Sequence, residues 1–408
     1  MNDAKAVTGA ASEWLHCPAC GRRYSIADVR YTCDCGGLLS VERGPLALER
    51  ATLDARRCAR TPADASGVWR FREAVLDVDV ATLVTHPEGA TRLYEREGVL
   101  FKHEGENPTG SFKDRGMTVA MTQAVRLGAR AVACASTGNT SASLAAYAAQ
   151  AGLPAVVFVP AGKVASGKLA QTLAYGARCL QVRGDFDAAM RLVREACDRL
   201  GIYLVNSINP FRIEGQKTIV WELLQDLGWE VPDWIVVPAG NLGNTSAFGK
   251  ALREARALGW IDRLPRLAAI QAHGANPFYR SFREGFATRH RVQAETVASA
   301  IRIGDPVSHD RAVAAIRDAR GVVAEVGDDE LMAAKRTIDG WGIGCEPASA
   351  ATLAGLRKLR AEGVIGVDEK VVCVLTGHLL KDPEAAFRPE GLVEIEPTIA
   401  AVEAVLGR

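Results

Sequence analysis

The sequence predicts an α/β protein built on open parallel sheets with helices on both faces, arranged as two α/β domains sharing a cleft. Three observations predict it. From about residue 99 onward, short apolar β-branched runs alternate with helical patterns, most runs lead into a glycine-rich or polar turn, and nine runs are many for a single sheet. In chain order the expected strands are Val99–Lys102, Ala131–Cys134, Ala155–Val159, Cys179–Val182 and Ile202–Val205, then Trp234–Val237, Leu267–Ile270, Val322–Glu325 and Val371–Leu375. A smaller α/β subdomain is expected over roughly 125–210 within a main region 45–408. Its first part, 45–98, is charged and irregular and is expected to pack against the main body.

Residues 1–44 stand apart as a short, turn-rich segment holding Cys17, Cys20, Cys33 and Cys35. Each cysteine pair is followed closely by glycine, as in metal-binding knuckles. Four thiolates from two such turns can hold a structural zinc in tetrahedral geometry, which a unit this small would need for stability. The second pair has one intervening residue where two is usual, so a metal-free ribbon with four reduced thiols is the alternative.

Composition excludes several function classes. The 408 residues carry 49 Lys+Arg against 48 Asp+Glu, so nothing favours nucleic acid or an anionic membrane. No apolar run reaches membrane-spanning length, and the opening MNDAKAVTGAASEW lacks the apolar core of a signal peptide. Six further cysteines are scattered, several in apolar segments where buried free thiols are the default, and a reducing cytoplasm is expected.

In open α/β folds ligands gather at the carboxyl ends of strands. After Val99–Lys102 comes Asn107-Pro108-Thr109-Gly110, a turn running into an apolar helix with Lys113 in its first turn. The positive end of a helix disfavours an ammonium there, which suits an amine for Schiff-base chemistry; a solvated helix-start lysine is the plainer reading. After Ala131–Cys134 comes Ser136-Thr137-Gly138-Asn139-Thr140, which offers hydroxyls, an amide and N–H groups to an anion, or ordinary helix capping. After Trp234–Val237, Gly240-Asn241-Leu242-Gly243-Asn244 reads as a backbone cradle for phosphate. Thr376 follows the last strand, and Asn206, Ser207 and Arg212 follow Ile202–Val205. Arg212 suits bidentate phosphate binding, or a structural pair with Glu214 or another carboxylate. His378 and Cys345 read as a satisfied imidazole and a packed thiol. A lysine, a hydroxyl-and-amide loop and a phosphate cradle at strand ends are the parts that hold pyridoxal phosphate.

In order, ENPTGSFKDRGM, ASTGNTSAS, NSINPFRIEGQKT, PAGNLGN, AIRIG, EPASAA and TGHLLKDP resemble the threonine synthase family, across roughly residues 88–383. The resemblance implies a fold-type II pyridoxal-phosphate enzyme, tryptophan synthase β-like, with the cofactor cleft between the domains and an N-terminal cysteine ribbon. It implies that Lys113 carries the cofactor and shuttles protons, that Asn139 meets the ring hydroxyl, and that Thr376 faces the ring nitrogen. Gly240, Asn241, Leu242, Gly243 and Asn244 would bind the cofactor phosphate. Ser136, Thr137 and Thr140 would lie at the substrate carboxylate, with Asn206, Ser207, Arg212 and more weakly Lys168 at the substrate phosphate. The implied reaction converts O-phospho-L-homoserine and water to L-threonine and phosphate, in a homodimer.

Three motifs depart from the family: Glu88-Gly89-Ala90-Thr91-Arg92-Leu93 for EGNTPL, Asp305 in IGDP for IGNP, and Leu379 for glycine in TGHGLKDP. Alternatives are therefore a cysteate-synthase-like enzyme acting on phosphoserine, or a non-catalytic protein that binds the cofactor.

Overall fold

The computed structural model describes residues 13–162, 166–184, 186–387 and 389–407. Its first three strands, β1 (Glu13–His16), β2 (Arg23–Ser25) and β3 (Ser40–Arg43), form an antiparallel ribbon in the order β2-β1-β3. All nine expected runs are strands: β5 (Val99–His103), β6 (Ala131–Ala135), β7 (Ala155–Pro160), β8 (Arg178–Val182), β9 (Ile202–Leu204), β10 (Trp234–Pro238), β11 (Arg266–Ala272), β12 (Val322–Val326) and β13 (Val371–Leu375). They divide between two sheets. A four-stranded parallel sheet has the order β8-β7-β6-β9, and a six-stranded one has β12-β11-β10-β13-β5-β4, where β4 is Leu93–Arg96.

Position in the sheet follows composition. β10 and β13, WIVVP and VVCVL, are buried at every residue and lie in the middle of the larger sheet, with helices over both faces. β4 is an addition to the expectation. It pairs antiparallel to β5 through a two-residue turn in which Glu97 and Gly98 both have positive φ (52° and 70°), the geometry of a tight hairpin. Its sequence, LYER, is charged because it is an edge strand, and that hid it within the irregular segment. The rest of that segment docks as expected: Phe71 packs 5.5 Å from Trp221, ring centre to ring centre, and Trp69 donates to Thr118 Oγ1 at 2.7 Å.

Two helices matter most for the site, Lys113–Arg126 and Pro210–Gln216. They cross at glycines. A Cβ on Gly215 would lie 1.7 Å from the Arg115 carbonyl oxygen, and one on Gly116 would lie 2.8 Å from that of Arg212. Backbone cannot yield as a flexible side chain does, so this crossing fixes the distance between the two helices. Gly215→Ala is expected to cost about 3 kcal/mol by overpacking, read as a lower urea midpoint at constant slope.

Candidate active site

The turn before Lys113 is anchored by its neighbours. Gly110 N–H donates to Asn107 O at 2.7 Å, and the buried Asp114 accepts from Thr109 N (2.7 Å), Thr109 Oγ1 (2.6 Å) and Ser143 Oγ (2.6 Å). Arg115 is fully buried and pairs with Glu104 at 2.6 Å and Glu222 at 2.7 Å. Glu222 also takes Lys102 at 2.7 Å, so the cations around it hold its carboxyl well below the usual range. Asp114 and Arg115 therefore position the lysine between the turn and the helix. Backbone bonds from Phe112 N to Thr376 O (3.0 Å) and from His378 N to Gly110 O (2.9 Å) lace this turn to the loop after β13.

Lys113 opens its helix, as the sequence predicts. Its residue surface is partly open, yet burial is the largest influence on its amine, followed by the Arg212 charge, against an opposing pull from Glu346. Together they lower its pKa to about 7. The direction agrees with the helix-end argument, but the main physical cause is desolvation.

Facing it, Asn139 begins the Asn139–Ala151 helix and donates to Glu346 Oε2 at 2.9 Å. Thr376 Oγ1 donates to Glu346 Oε1 at 3.3 Å and lies 3.1 Å from Ser349 Oγ. Glu346 is a residue that sequence reasoning left without a role. It lies just before Pro347 at the start of the Pro347–Ala361 helix and is buried, which raises its pKa. The available signal was EPASAA itself, a carboxylate at a helix start; the contact to Asn139 spans 207 positions and was not visible. Ser136 and Thr137 are half-buried in the loop between β6 and that first helix, and Thr140 is half-buried in the helix's first turn.

The cradle lies between β10 and the Gly243–Ala257 helix. Leu242 has φ 63°, turning successive N–H groups inward. Among the described residues, no hydrogen bond uses the N–H groups of Asn241, Leu242, Gly243, Asn244 or Thr245. Five unpartnered donors at the positive end of a fifteen-residue helix fit a phosphate. Gly240 serves packing, since a Cβ there would lie 2.8 Å from Ile301 Cα.

Arg212 is 2 % exposed; its Nη1 donates to Val205 O at 3.2 Å, while Nε and Nη2 have no partner among the described residues. Burial lowers its pKa to about 10. The alternative pairing with Glu214 is absent, because Glu214 pairs instead with Lys217 (2.6 Å), Lys250 (2.6 Å) and Arg43 (3.1 Å). A buried guanidinium with free donors invites an anion. Ser207 is near the cradle, accepting from Asn241 Nδ2 at 2.6 Å. Asn206 departs from expectation: Ala135 N donates to its Oδ1 (2.9 Å) and its Nδ2 donates to Ala135 O (3.0 Å), so it ties β6 to the loop after β9. Lys168 belongs to the Ser166–Ala174 helix, and its side chain lies outside the described residues.

The residues that depart from the family's motifs have partners of their own. Asp305 pairs with Arg289 (2.6 Å) and Arg291 (3.0 Å) on an exposed loop, which neutralises the added charge. Leu379 packs on Gly344, 3.3 Å from where a Cβ would lie. Ala90, at φ 50°, donates to Glu222 Oε2 at 2.8 Å. His378 accepts from Leu380 N at 3.1 Å and Cys345 is buried, both as expected.

In the ribbon, one ligand atom from each of Cys17, Cys20, Cys33 and Cys35 falls within 4.8 Å of every other. Cys17–Cys35 and Cys20–Cys33 sulfurs are 3.6 and 3.5 Å apart. A zinc–sulfur bond of about 2.3 Å gives tetrahedral edges of about 3.8 Å, whereas a disulfide needs about 2.05 Å. The short Cys33-Asp34-Cys35 spacing thus closes a four-sulfur cage.

The pyridoxal-phosphate dependent enzyme family matches residues 79–377. A threonine synthase of Methanosarcina acetivorans is 48% identical over 97% of this chain and 99% of its own length. One from Methanocaldococcus jannaschii is 45% identical over 96% and 98%. Among solved structures, Escherichia coli threonine synthase superposes with a TM-score of 0.72 at 20% identity, covering 96% of this chain and 94% of its own, a likeness of fold.

Proposed function

Because the chain belongs to the pyridoxal-phosphate dependent enzymes and, among them, to the threonine synthases, we propose that its two anion sites divide two phosphates between them. The Asn241–Thr245 cradle would hold the cofactor's phosphate, and Arg212 with Ser207 the substrate's. The observation that carries this reading is the pair itself: five free N–H groups at a helix end, and a buried arginine with free donors five residues along the chain from Ser207, which bonds Asn241 of the cradle. An unphosphorylated amino acid would leave the second site without an anion.

In the proposed reaction, O-phospho-L-homoserine and water give L-threonine and phosphate. Bound between Lys113, Asn139, Thr376 and the cradle, the cofactor supplies an electron sink that acidifies successive substrate carbons. Lys113 removes the Cα proton and assists removal of a Cβ proton. Arg212 stabilises the phosphate as it leaves Cγ. Lys113 then returns a proton at Cγ, water adds at Cβ, and Lys113 restores the Cα proton. Ser136, Thr137 and Thr140 orient the substrate carboxylate, while Asn139 and Thr376 orient the ring hydroxyl and nitrogen. Glu346 fixes both of these side chains. Threonine and inorganic phosphate appearing in equal amounts from holoenzyme and O-phospho-L-homoserine test this; phosphate released without threonine would refute it.

The Lys113 amine attacks an aldehyde only when neutral, and its pKa is lowered to about 7. Raising the pH through about 7 deprotonates it, so pyridoxal-phosphate uptake by apoprotein should accelerate with pH across that value, followed as growth of the visible band. A rate that stays flat or falls would contradict the assignment.

We assign a structural zinc to Cys17, Cys20, Cys33 and Cys35, supported by the sulfur spacing. Elemental analysis should find one zinc per chain, and chelation should make these thiols reactive to a disulfide reagent. Ten free cysteines support a reducing, cytoplasmic setting. The resemblance to the family supports a homodimer. A ribbon over 1–44, of which residues 13–44 are described, is supported by the β2-β1-β3 sheet, and a catalytic region over 45–408 with a subdomain at roughly 125–210 by the separate β8-β7-β6-β9 sheet.

A further inference from the structure

The ribbon touches the main body on both sides of the segment that carries Ser207 and Arg212. Upstream, Leu204 N–H at the end of β9 donates to the Tyr31 hydroxyl at 2.7 Å, and the Tyr31 ring lies 5.7 Å from that of Tyr203. Since β9 is an edge strand, this N–H faces away from its sheet, and the ribbon supplies its acceptor. Downstream, Arg43 Nη2 donates to Glu214 Oε2 at 3.1 Å and to Val75 O at 2.9 Å. Lys250 bonds Glu214 at 2.6 Å and also the Val41 carbonyl of β3.

Glu214 and Arg212 lie two residues apart on one helix, so their side chains point about 200° apart. With Glu214 held at the ribbon, Arg212 is turned the other way, and its position is set by how the helix is seated. The segment between the two grips is short. Val205 O takes Arg212 Nη1, and Asn209 Nδ2 donates to Leu204 O at 2.8 Å, so a shift at either end reaches the guanidinium.

The geometry points to the ribbon as a clamp on the substrate-phosphate segment, with Tyr31 and Arg43 as positioning residues for Arg212 and Ser207. This rests on Arg212 being the substrate-phosphate group. The clamp acts on phosphate affinity and leaves the lysine and the cofactor in place, because neither grip bonds Lys113 or Asn241–Thr245, and the grip's contacts on the cradle's helix, Lys250 and Glu254, lie five or more residues beyond Thr245.

The test uses holoenzyme. Tyr31→Phe keeps the ring against Tyr203 and removes only the acceptor for Leu204. The KM for O-phospho-L-homoserine and the inhibition constant of inorganic phosphate are both expected to rise roughly three- to tenfold. The visible band of the bound cofactor stays at its wild-type value, and kcat falls by less than KM rises. Arg43→Lys keeps the charge but loses the planar fork, and should shift the same two constants. Combined with Arg212→Lys, the Tyr31→Phe effect should be less than additive. Unchanged phosphate inhibition in both ribbon variants, with Arg212→Lys weakened, overturns the clamp alone. A cofactor band lost in step with the rise in KM overturns it too, by showing general loosening. If Arg212→Lys itself inhibits like wild type, the premise about Arg212 fails and takes the clamp with it.

Discussion

Lys113→Ala is expected to lower turnover by about 10³–10⁴-fold or more while leaving the protein folded. The loss is large because one amine serves each proposed proton transfer. Lys381, beside the same turn, is committed elsewhere: it donates to Thr109 O at 3.0 Å and to Gln171 Oε1 at 2.7 Å. Folding should survive, since the anchoring contacts belong to Asp114 and Arg115, and the amine's own packing partner is the Phe112 ring at 4.2 Å. Removing a desolvated amine should leave the denaturation midpoint unchanged or raised. The visible band of tightly bound cofactor should disappear with activity. A variant that keeps full turnover would refute the role of Lys113.

Arg212→Met is expected to lower kcat/KM by about 10²–10³-fold, as for removing one partner of a buried charge pair. Here the partner arrives with the substrate, so the substitution strands no protein carboxylate. Stability should therefore hold or improve, since the free protein loses a buried cation whose Nε and Nη2 lack partners. Competitive inhibition by inorganic phosphate should vanish while cofactor binding persists. Loss of cofactor along with phosphate inhibition would mean that Arg212 supports the cradle instead.

These two residues were legible because each follows a strand and each is marked by residue type. The same holds for the fold, where short, continuous, β-branched apolar runs such as Val371–Leu375 suit strands buried on both faces. What escaped the sequence were features set by tertiary contact. β4 is an edge strand whose charges suit solvent, so it carries no apolar signature. Asn206 looks like a free amide in a substrate loop, but β6 lies 71 positions away and takes both ends of it. Glu346 and Glu222 have no local mark of burial; their partners Asn139 and Arg115 come from other elements. That Arg212 does not pair with Glu214 also needed the structure, because helix periodicity puts the two side chains on opposite faces only once the helix is known. The charge that Asp305 adds is met by two arginines whose pairing the sequence did not show.

The most direct test is substrate choice. Holoenzyme is given O-phospho-L-homoserine in water or O-phospho-L-serine with sulfite, and released phosphate and amino-acid product are measured together. Turnover of the four-carbon phosphate to threonine, with little or none of the three-carbon one, is the result predicted by Lys113 and Arg212 working on a phosphate at Cγ. Turnover of phosphoserine alone would contradict it.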